Sequence, residues 1–470
     1  MTTFLLNDTL VRTDVPKGMS LLNFIRNEAG LKGTKSGCKE GDCGACTVLE
    51  GTLQDGKVIY KSIVSCLTPL GNVHGKHIVT VEGLNNNELT PVQQVMVDNA
   101  ATQCGFCTPG FVVSFTGYSL SAKAGNPEEA IASVAGNICR CTGYKSIEKA
   151  AFILADILKN KDTKQSLEWL IKNRFVPEYF KEVKAKLETI KPDEKILSAP
   201  DKQIAGGTDL MVQQPEMITI SALEFLSLND DLKQIYKNGN TLIVGGAVTV
   251  NQLLENKDFS RAFPKAKSWF KLISSEQIRN TATLAGNIVN ASPIGDMSIF
   301  FLALDAVLVL EKNNNSRKVA LKEFFIDYKK IDKEDNEIIK SVEFNLLTEY
   351  DRFNFEKVSK RIHLDIASVN TAIFLKTKEN IIIKALLSAG GVAPVPKFLY
   401  QTSDFLSGKK LTPELLAGAQ SVMEKEVSPI DDIRGSEYYK KLLLKQLLTA
   451  HFMEIFPEIF NEKVLLKTIV

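Results

Sequence analysis

The sequence lacks several features that would assign it to a class at once. No run of eighteen or more apolar residues occurs in the 470-residue chain, so no segment is predicted to cross a membrane. The start, MTTFLLNDTLVRTDVP, has neither a basic region nor a long apolar stretch, which argues against a secretory signal. The formal net charge of +2 is close to neutral, so it gives no argument for binding to nucleic acid or anionic lipid. We therefore expect a cytoplasmic protein with no nucleic-acid or membrane partner.

Two common nucleotide-binding patterns are missing as well. Neither G-x-G-x-x-G nor G-x-x-x-x-G-K-[ST] occurs, which excludes the usual Rossmann and P-loop interpretations. Apolar residues make up 44% and charged residues 24% of the chain, as in globular proteins. The length exceeds what one core can fill and predicts three or four domains.

Cysteine is absent from everything that follows residue 141. The eight cysteines are Cys38, Cys43, Cys46, Cys66, Cys104, Cys107, Cys139 and Cys141. In a reducing compartment, clustered cysteines bind metal more often than they form disulfides. This distribution predicts that the N-terminal part of the chain binds metal and that the rest of the chain has a different function.

The first four cysteines follow the spacing C-x4-C-x2-C with a fourth cysteine further on, which is the plant-type [2Fe-2S] ferredoxin pattern. Gly37, Gly41 and Gly44 allow positive φ angles and let N–H groups approach the sulfurs. The flanking sequence predicts a hairpin, a helix and two further strands, in a β-grasp order. Reduced structural thiols and a zinc site are the weaker alternatives, because this triple is not a zinc-finger spacing.

The second four cysteines lie in "QCGFCTPGF" and "GNICRCTGY", among segments with helical spacing of apolar residues. Pro109 and Pro127 stand where first-turn prolines belong, and Asn126 is a candidate N-cap. Cys107 is thus expected just before a helix, whose N-terminus would stabilise an anionic cluster. On spacing alone, zinc remains a competing ligand for this quartet.

Both motifs together resemble the iron–sulfur region of the molybdenum hydroxylases over residues 1 to about 158. "CGFCTPG" and "GNICRCTGY" are the phrases that carry this resemblance. The resemblance implies that both quartets bind [2Fe-2S] clusters, in a β-grasp domain and a four-helix domain.

The rest of the chain offers weaker signals. Residues 159–200 are lysine-rich and interrupted by prolines, which predicts a solvated connector with a helix in its middle. "QIAGGTDLMV" and "LIVGGAVTVNQLLEN" each place glycines between a strand and a helix, the second with Thr249 as a candidate N-cap. "TATLAGNIVNASPIGD" is dense in small and hydroxyl residues, which suit a diphosphate and a ribityl chain better than a core.

These stretches resemble the FAD domain of the same family, which is of the vanillyl-alcohol-oxidase type. "FEKVSKRIHLDIASVNTAIFL" is similar to the start of the family's C-terminal domain. One position departs from some relatives, which place phenylalanine beside the flavin where this chain has Ile273. The resemblance implies these FAD-binding residues: Ile204, Ala205, Gly206, Gly207, Thr208, Asp209, Leu210, Ile273, Ser274, Ile278, Thr283, Gly286, Asn287, Asn290, Asp296 and Lys357.

The expected fold is therefore a multidomain α+β protein. Its domains are predicted as a ferredoxin domain at 1–84, a helical cluster domain at 85–158, a linker at 159–174, an FAD domain at 175–347 and an α+β C-terminal domain at 348–470. We expect Gly206 and Gly207 to bring backbone N–H groups to the diphosphate, and Asp296 to face flavin hydroxyls or orient its loop.

The resemblance implies an electron-transfer subunit that holds two [2Fe-2S] clusters and FAD. The fused domain order favours the xanthine dehydrogenase branch, with electrons passing from molybdenum to the helical-domain cluster, the ferredoxin-type cluster, FAD and NAD+. A molybdopterin-binding large subunit is the expected partner, in a heterotetramer made of two heterodimers. The alternatives are an aldehyde- or N-heterocycle-oxidising relative, a stand-alone reductase and a zinc-stabilised scaffold.

Overall fold

Helices and strands occur mostly in separate runs along the chain, as expected for an α+β protein. The structure is a computed structural model and describes residues 1–191, 200–361 and 363–461. The α-helices of these residues are α1 (Leu21–Asn23), α2 (Pro91–Asp98), α3 (Thr108–Leu120), α4 (Pro127–Ser133), α5 (Lys145–Leu158), α6 (Ser166–Lys172), α7 (Val183–Glu188), α8 (Leu210–Gln213), α9 (Pro215–Ile220), α10 (Val250–Glu255), α11 (Lys257–Ala262), α12 (Ala266–Lys271), α13 (Glu276–Arg279), α14 (Leu284–Asn290), α15 (Asp296–Leu302), α16 (Leu321–Phe324), α17 (Tyr400–Leu406), α18 (Pro413–Glu426) and α19 (Glu437–Ile455). The strands are β1 (Thr2–Leu6), β2 (Thr9–Thr13), β3 (Thr47–Gln54), β4 (Lys57–Val64), β5 (His77–Val79), β6 (Lys202–Ile204), β7 (Leu223–Phe225), β8 (Ile235–Asn238), β9 (Thr241–Gly245), β10 (Val307–Lys312), β11 (Asn315–Ala320), β12 (Phe325–Asp327), β13 (Lys330–Ile331), β14 (Ile338–Asn345), β15 (Asp351–Val358), β16 (Val369–Lys378), β17 (Ile381–Gly390) and β18 (Lys397–Phe398).

The elements form two compact units that do not follow the chain order strictly. The first unit comprises Met1–Leu228 and Ser275–Ala282, and the second comprises Asn229–Ser274 and Thr283–Val470. The short helix α13 thus belongs to the first unit although its neighbours in sequence belong to the second.

A five-stranded sheet of order β2-β1-β5-β3-β4 opens the first unit. Strands β1 and β5 run parallel and the other neighbours are antiparallel, which is the predicted β-grasp arrangement. The predicted hairpin is β1–β2, with Asn7 in its turn at a φ of 56°. Helix α1 continues into a π-helical turn at Phe24–Glu28, and its Leu21 and Leu22 are buried.

Four helices, α2 to α5, form the predicted helical domain. Asn126 caps α4 by accepting hydrogen bonds from the N–H groups of Glu128 and Glu129, as expected. Cys107 is the N-cap residue of α3, so the prediction that it stands just before a helix is confirmed. The fully buried Phe111, Phe115 and Leu154 belong to the core of these helices.

The stretch predicted as a solvated connector contributes to the same core. Helix α6 lies in it, and Phe175, Val176 and Phe180 are buried against the four-helix domain. Val183 and Leu187 of α7 pack with Leu5 of β1. The many lysines of this stretch led to the prediction of a solvated connector, although the apolar residues between them are buried. Its residues 192–199 lie outside the described ranges.

Besides the two-stranded sheet β12-β13, the second unit contains two larger antiparallel sheets. Their orders are β11-β10-β14-β9-β8 and β15-β16-β17-β18. Phenylalanines fill its largest core, with Phe259, Phe300 and Phe355 fully buried. The predicted closing helix is α19, which packs against β15 and β16. Over the described parts of both units, no helix is long and apolar enough to span a membrane.

Candidate functional site

The first cysteine quartet lies on one loop and one strand end. Cys38, Cys43 and Cys46 precede β3, and Cys66 follows β4 in a 3₁₀ turn. Backbone N–H groups point at the sulfurs: Cys38 donates to Cys43 Sγ (3.4 Å) and Glu40 donates to Cys38 Sγ (3.4 Å). Gly41 and Gly44 adopt φ angles of 80° and 66°. Gly41 and Gly44 thus take the positive φ angles predicted for them, whereas Gly37 does not; a Cβ on Gly37 would lie 2.8 Å from Cys43 Sγ, which is a steric reason for glycine there.

The four thiols of this quartet associate in two pairs. A hydrogen bond with Cys43 lowers the pKa of Cys38 to about 4. Likewise, a hydrogen bond with Cys66 lowers the pKa of Cys46, while that of Cys66 is raised. Cys38 thus groups with Cys43, and Cys46 with Cys66.

The second quartet shows the same grouping. Cys104 and Cys141 have their sulfurs 3.6 Å apart. Cys107 interacts with Cys139, and burial together with this contact raises the pKa of Cys107 to about 12. Cys104 and Cys141 are exposed, whereas Cys139 is buried.

Two pairs of thiols fit two irons better than they fit one zinc ion. A [2Fe-2S] cluster takes two cysteines on each iron, whereas zinc needs four ligands converging on one point. The donor arrangement therefore favours the cluster over the zinc site that spacing left open for the second quartet.

The loops of the two quartets touch each other. The N–H of Ile138, the residue before Cys139, donates to the carbonyl of Cys43 (3.0 Å). The Nδ2 of Asn137 donates to the carbonyl of Gly44 (3.0 Å). A ligand residue of one quartet is thus joined to the neighbour of a ligand of the other by one hydrogen bond.

The glycine loop predicted to hold a diphosphate connects β6 to α8 in the first unit. Asn72 Nδ2 donates to the carbonyl of Ala205 (2.8 Å) and approaches that of Gly206 (3.4 Å), which fixes the orientation of the loop. No described residue accepts a hydrogen bond from the backbone N–H of Gly206, Gly207 or Thr208. Consecutive free N–H groups are a suitable anion-binding arrangement, so the loop fits a diphosphate.

Both glycines also have packing reasons to lack a side chain. A Cβ on Gly206 would lie 2.1 Å from the carbonyl oxygen of Thr281. Gly207 has a φ of 83°, and a Cβ there would lie 2.9 Å from Pro69. A bulky substitution at either position would disturb the fold as well as any ligand.

In the second unit, α14 and α15 carry most of the remaining predicted FAD residues. Thr283 caps α14 by accepting from the N–H of Gly286 (3.0 Å). Asn287 Oδ1 accepts from the N–H of Ser298 (3.3 Å), which ties the two helices together. Asn290 Oδ1 accepts from Lys329 Nζ (2.9 Å).

Asp296, the first residue of α15, is paired with Lys357. Lys357 Nζ lies 2.7 Å from Asp296 Oδ2 and also donates to the carbonyl of Leu272 (2.8 Å). Asn370 Nδ2 donates to Asp296 Oδ1 (2.6 Å). These contacts join the start of α15 to β15 and β16, and the role expected for Asp296 beside the flavin stays a prediction.

The predicted FAD residues are divided between the units. Ile204 to Leu210 and Ile278 belong to the first unit, and the others, including Ile273 and Ser274, belong to the second. Ile278 packs against the first quartet's loop, since a Cβ on Gly41 would lie 3.1 Å from its Cδ1. Ile273 is buried, and Ser274 has a φ of 46°.

Two residues with central contacts were not predicted from the sequence. Asn370 is fully buried and its Oδ1 has no donor among the described residues. Gln277 is fully buried beside Asn137. A lone amide in the apolar strand segment IASVNTAIFL was the available signal for Asn370. A polar residue on a four-residue helix gave no such signal for Gln277.

Comparison with protein families matches four domains in order. They are described as a 2Fe-2S iron-sulfur cluster binding domain (residues 4–70), a [2Fe-2S] binding domain (80–152), an FAD binding domain in molybdopterin dehydrogenase (173–344) and a CO dehydrogenase flavoprotein C-terminal domain (355–455). The predictions of two [2Fe-2S] domains and an FAD-binding domain are confirmed.

Curated relatives include xanthine dehydrogenase 1 of Arabidopsis thaliana, 29% identical over 92% of this chain, and xanthine dehydrogenase of Emericella nidulans, 30% identical over 94%. The chain spans 38% of the length of each. Similar solved structures are carbon monoxide dehydrogenase from Hydrogenophaga pseudoflava (TM-score 0.51, 23% identity) and quinoline 2-oxidoreductase from Pseudomonas putida 86 (TM-score 0.50, 22% identity). Each of these two matches covers 55% of this chain and 90% of the chain in the solved structure, and it shows a similarity of fold.

The two cysteine quartets and the four matched domains lead to one conclusion: the chain belongs to the molybdenum hydroxylase family, of which it carries the iron–sulfur and FAD-binding domains.

Proposed function

We propose that the chain is the electron-transfer subunit of a xanthine dehydrogenase that converts hypoxanthine and xanthine to urate in the cytoplasm. The xanthine dehydrogenase relatives, which align with more than nine tenths of this chain, support this assignment. When bound, the two clusters carry single electrons and FAD exchanges them with NAD+ as a hydride. The assignment of individual FAD contacts to the predicted residues is part of this proposal.

The contrast between the two quartets is the observation that carries the proposal. Cys104 and Cys141 are exposed, whereas Cys46 and Cys66 are buried at 2% and 7% exposure. The loops that hold them are hydrogen-bonded to each other. The second quartet has two exposed thiols and the first has none, so the second quartet suits electron entry from another chain.

The surface around the exposed thiols supports a protein partner there. Phe106, Ile138 and Tyr144 are 47%, 39% and 40% exposed beside the second quartet. Exposed apolar side chains around a polar site are typical of protein interfaces. We propose that a molybdopterin-binding large subunit covers this surface, in an assembly of two heterodimers.

A second function is supported by the structural neighbours. Carbon monoxide dehydrogenase and quinoline 2-oxidoreductase share the fold. The same subunit could therefore serve an enzyme that oxidises an aldehyde or an N-heterocycle. A stand-alone reductase without a molybdenum partner is the third possibility.

Purification of the native assembly with an assay of xanthine:NAD+ activity tests the proposal. We expect a co-purifying molybdopterin chain and reduction of NAD+ by xanthine. Activity with an aldehyde or quinoline instead of xanthine would overturn the assignment of xanthine as the substrate, and the proposed electron-transfer role would stand. If the chain purifies alone and oxidises NADH, the proposal of a molybdopterin-binding partner subunit would be overturned.

A further inference from the structure

Three buried side chains in the first unit form a hydrogen-bonded network at the contact between the quartets. Asn137 Oδ1 accepts from Ser114 Oγ (2.8 Å) and from Gln277 Nε2 (3.0 Å). Asn137 Nδ2 donates to the carbonyl of Gly44, the residue after Cys43. We call Ser114, Asn137 and Gln277 the amide network.

Solvent is excluded from this network. Ser114 and Gln277 are 0% exposed and Asn137 is 4% exposed. Buried polar groups are costly when unpaired, so a hydrogen bond between them fixes their relative positions more firmly than one at the surface. The network therefore holds Asn137 in a defined place against Gly44.

Glycines allow the backbones to approach closely at this point. A Cβ on Gly44 would lie 2.3 Å from the carbonyl oxygen of Gly136, and a Cβ on Gly110 would lie 2.3 Å from that of Gly44. A Cβ on Gly136 would lie 2.2 Å from Gln277 Oε1. The loops of the two quartets thus meet at backbone distance, and Gln277 closes the contact.

The hydrogen bond from Ile138 to the Cys43 carbonyl lies beside the network. It is the contact that joins the residue before Cys139 to a ligand residue of the first quartet. Asn137 immediately precedes Ile138, so any shift of Asn137 displaces this bond. The network is therefore placed to preserve the connection between the quartets.

Gln277 itself contributes an unfavourable contact. Its Oε1 is buried and has no donor among the described residues. An apolar residue of the same shape would avoid this cost, since replacing buried polar groups by apolar ones can be neutral or stabilising. Its Nε2 donates to Asn137, and this hydrogen bond is the contribution of the side chain that stabilises the amide network.

We propose that Gln277 is a positioning residue for electron transfer between the two clusters. By holding Asn137 against Gly44, it fixes the spacing of the two quartets and the hydrogen bond between Ile138 and Cys43. In the transfer itself one cluster is oxidised by one electron and the other is reduced by one, with no bond made or broken. The inference deepens the proposed function by assigning a role in the relay to a residue from the region matched as an FAD-binding domain.

The test compares Gln277→Met with a matched control, Gln93→Met, in the full chain purified anaerobically. Methionine preserves the volume of glutamine and removes both amide atoms. Gln93 forms the capping box of α2 with Thr90 in the same unit and also donates to Asn85, and among the described residues these side-chain hydrogen bonds do not reach a quartet, so its loss is expected to perturb stability alone. Both variants are expected to retain their iron.

Low-temperature EPR of the fully reduced protein is the readout. Each reduced cluster broadens the signal of the other, and variants that hold one cluster supply the spectrum without this broadening. We expect Gln277→Met to lose part of the broadening and to slow electron transfer between clusters several-fold, whereas Gln93→Met changes neither. Wild-type broadening and wild-type transfer in Gln277→Met would overturn the proposal.

Ser114→Ala keeps the proposal testable if Gln277→Met loses iron. This variant removes one bond to Asn137 and creates little empty space. A smaller change in the same direction is expected, and unchanged broadening would overturn the proposal. Because chemical reduction needs neither substrate nor partner, this result is independent of whether xanthine is the substrate.

Discussion

Removal of the Lys357 ammonium is expected to destabilise the second unit strongly. Lys357 and Asp296 form an ion pair of 2.7 Å whose side chains are only 2% and 13% exposed. In Lys357→Met, Asp296 keeps the hydrogen bond from Asn370 and loses its counter-charge. Breaking a buried pair by removing one partner costs about 3–5 kcal/mol, because the remaining charge is left uncompensated.

A matched control is available in the same unit. Lys384 lies 3.5 Å from Asp305 and is 51% exposed. An exposed pair contributes about 0–1 kcal/mol, so Lys384→Met is expected to change stability little. The double variant Asp296→Asn with Lys357→Met removes both charges and should recover at least half of the loss.

Tryptophan fluorescence reports the second unit separately. The chain has two tryptophans, and Trp269 packs in the second unit against Phe300 and Phe353. Urea unfolding in a Trp169→Phe background, on flavin-free protein, measures the free energy of unfolding of this unit without the stabilisation that a bound ligand adds. A loss below about 1 kcal/mol for Lys357→Met, no larger than that of Lys384→Met, would refute the argument.

Three further outcomes are expected. Elemental analysis of anaerobically purified protein should find iron in both quartets, at about four per chain, and zinc in place of half of it would contradict the pairing of the thiols. Cys104→Ser should abolish one cluster's EPR signal and leave FAD and the other cluster, and unchanged xanthine:NAD+ turnover in this variant would contradict the proposed order of centres. Burial lowers the pKa of His451 to about 3, so between pH 6.5 and 3 the unfolded state binds a proton that the folded state excludes. The stability of the second unit should therefore fall on acidification by up to about 1.4 kcal/mol per pH unit, and His451→Gln should flatten the Trp269 unfolding profile over this range.

The cysteine motifs could be recognised from sequence because the ligand types and their spacing are local. The x4 and x2 spacings, the glycines beside them and the helix caps at Asn126 and Thr249 all depend on residues close in the chain. Such features survive in any fold that keeps the loop intact. The β-grasp order followed from the hairpin and the strand that leads to Cys66.

The contacts that connect distant segments could not be predicted in the same way. Gln277 bonds to Asn137 across 140 positions, and Asn370 to Asp296 across 74. Hydrophobic periodicity predicts which face of an element is buried, but it does not predict which polar residue from a distant segment lies against that face. The prediction of a solvated connector for the lysine-rich stretch was wrong for a related reason. The apolar residues between its lysines, such as Phe175 and Phe180, are buried in the first unit.

The return of residues 275–282 to the first unit limits how the gene can be divided. The chain passes from one unit to the other at three points, after Leu228, Ser274 and Ala282. A fragment ending at Leu228 would lack Gln277, and a fragment starting at Asn229 would carry it without Asn137, its hydrogen-bond partner. We therefore expect complementation between such fragments to depend on this octapeptide, and a synthetic peptide of the same sequence to compete with it.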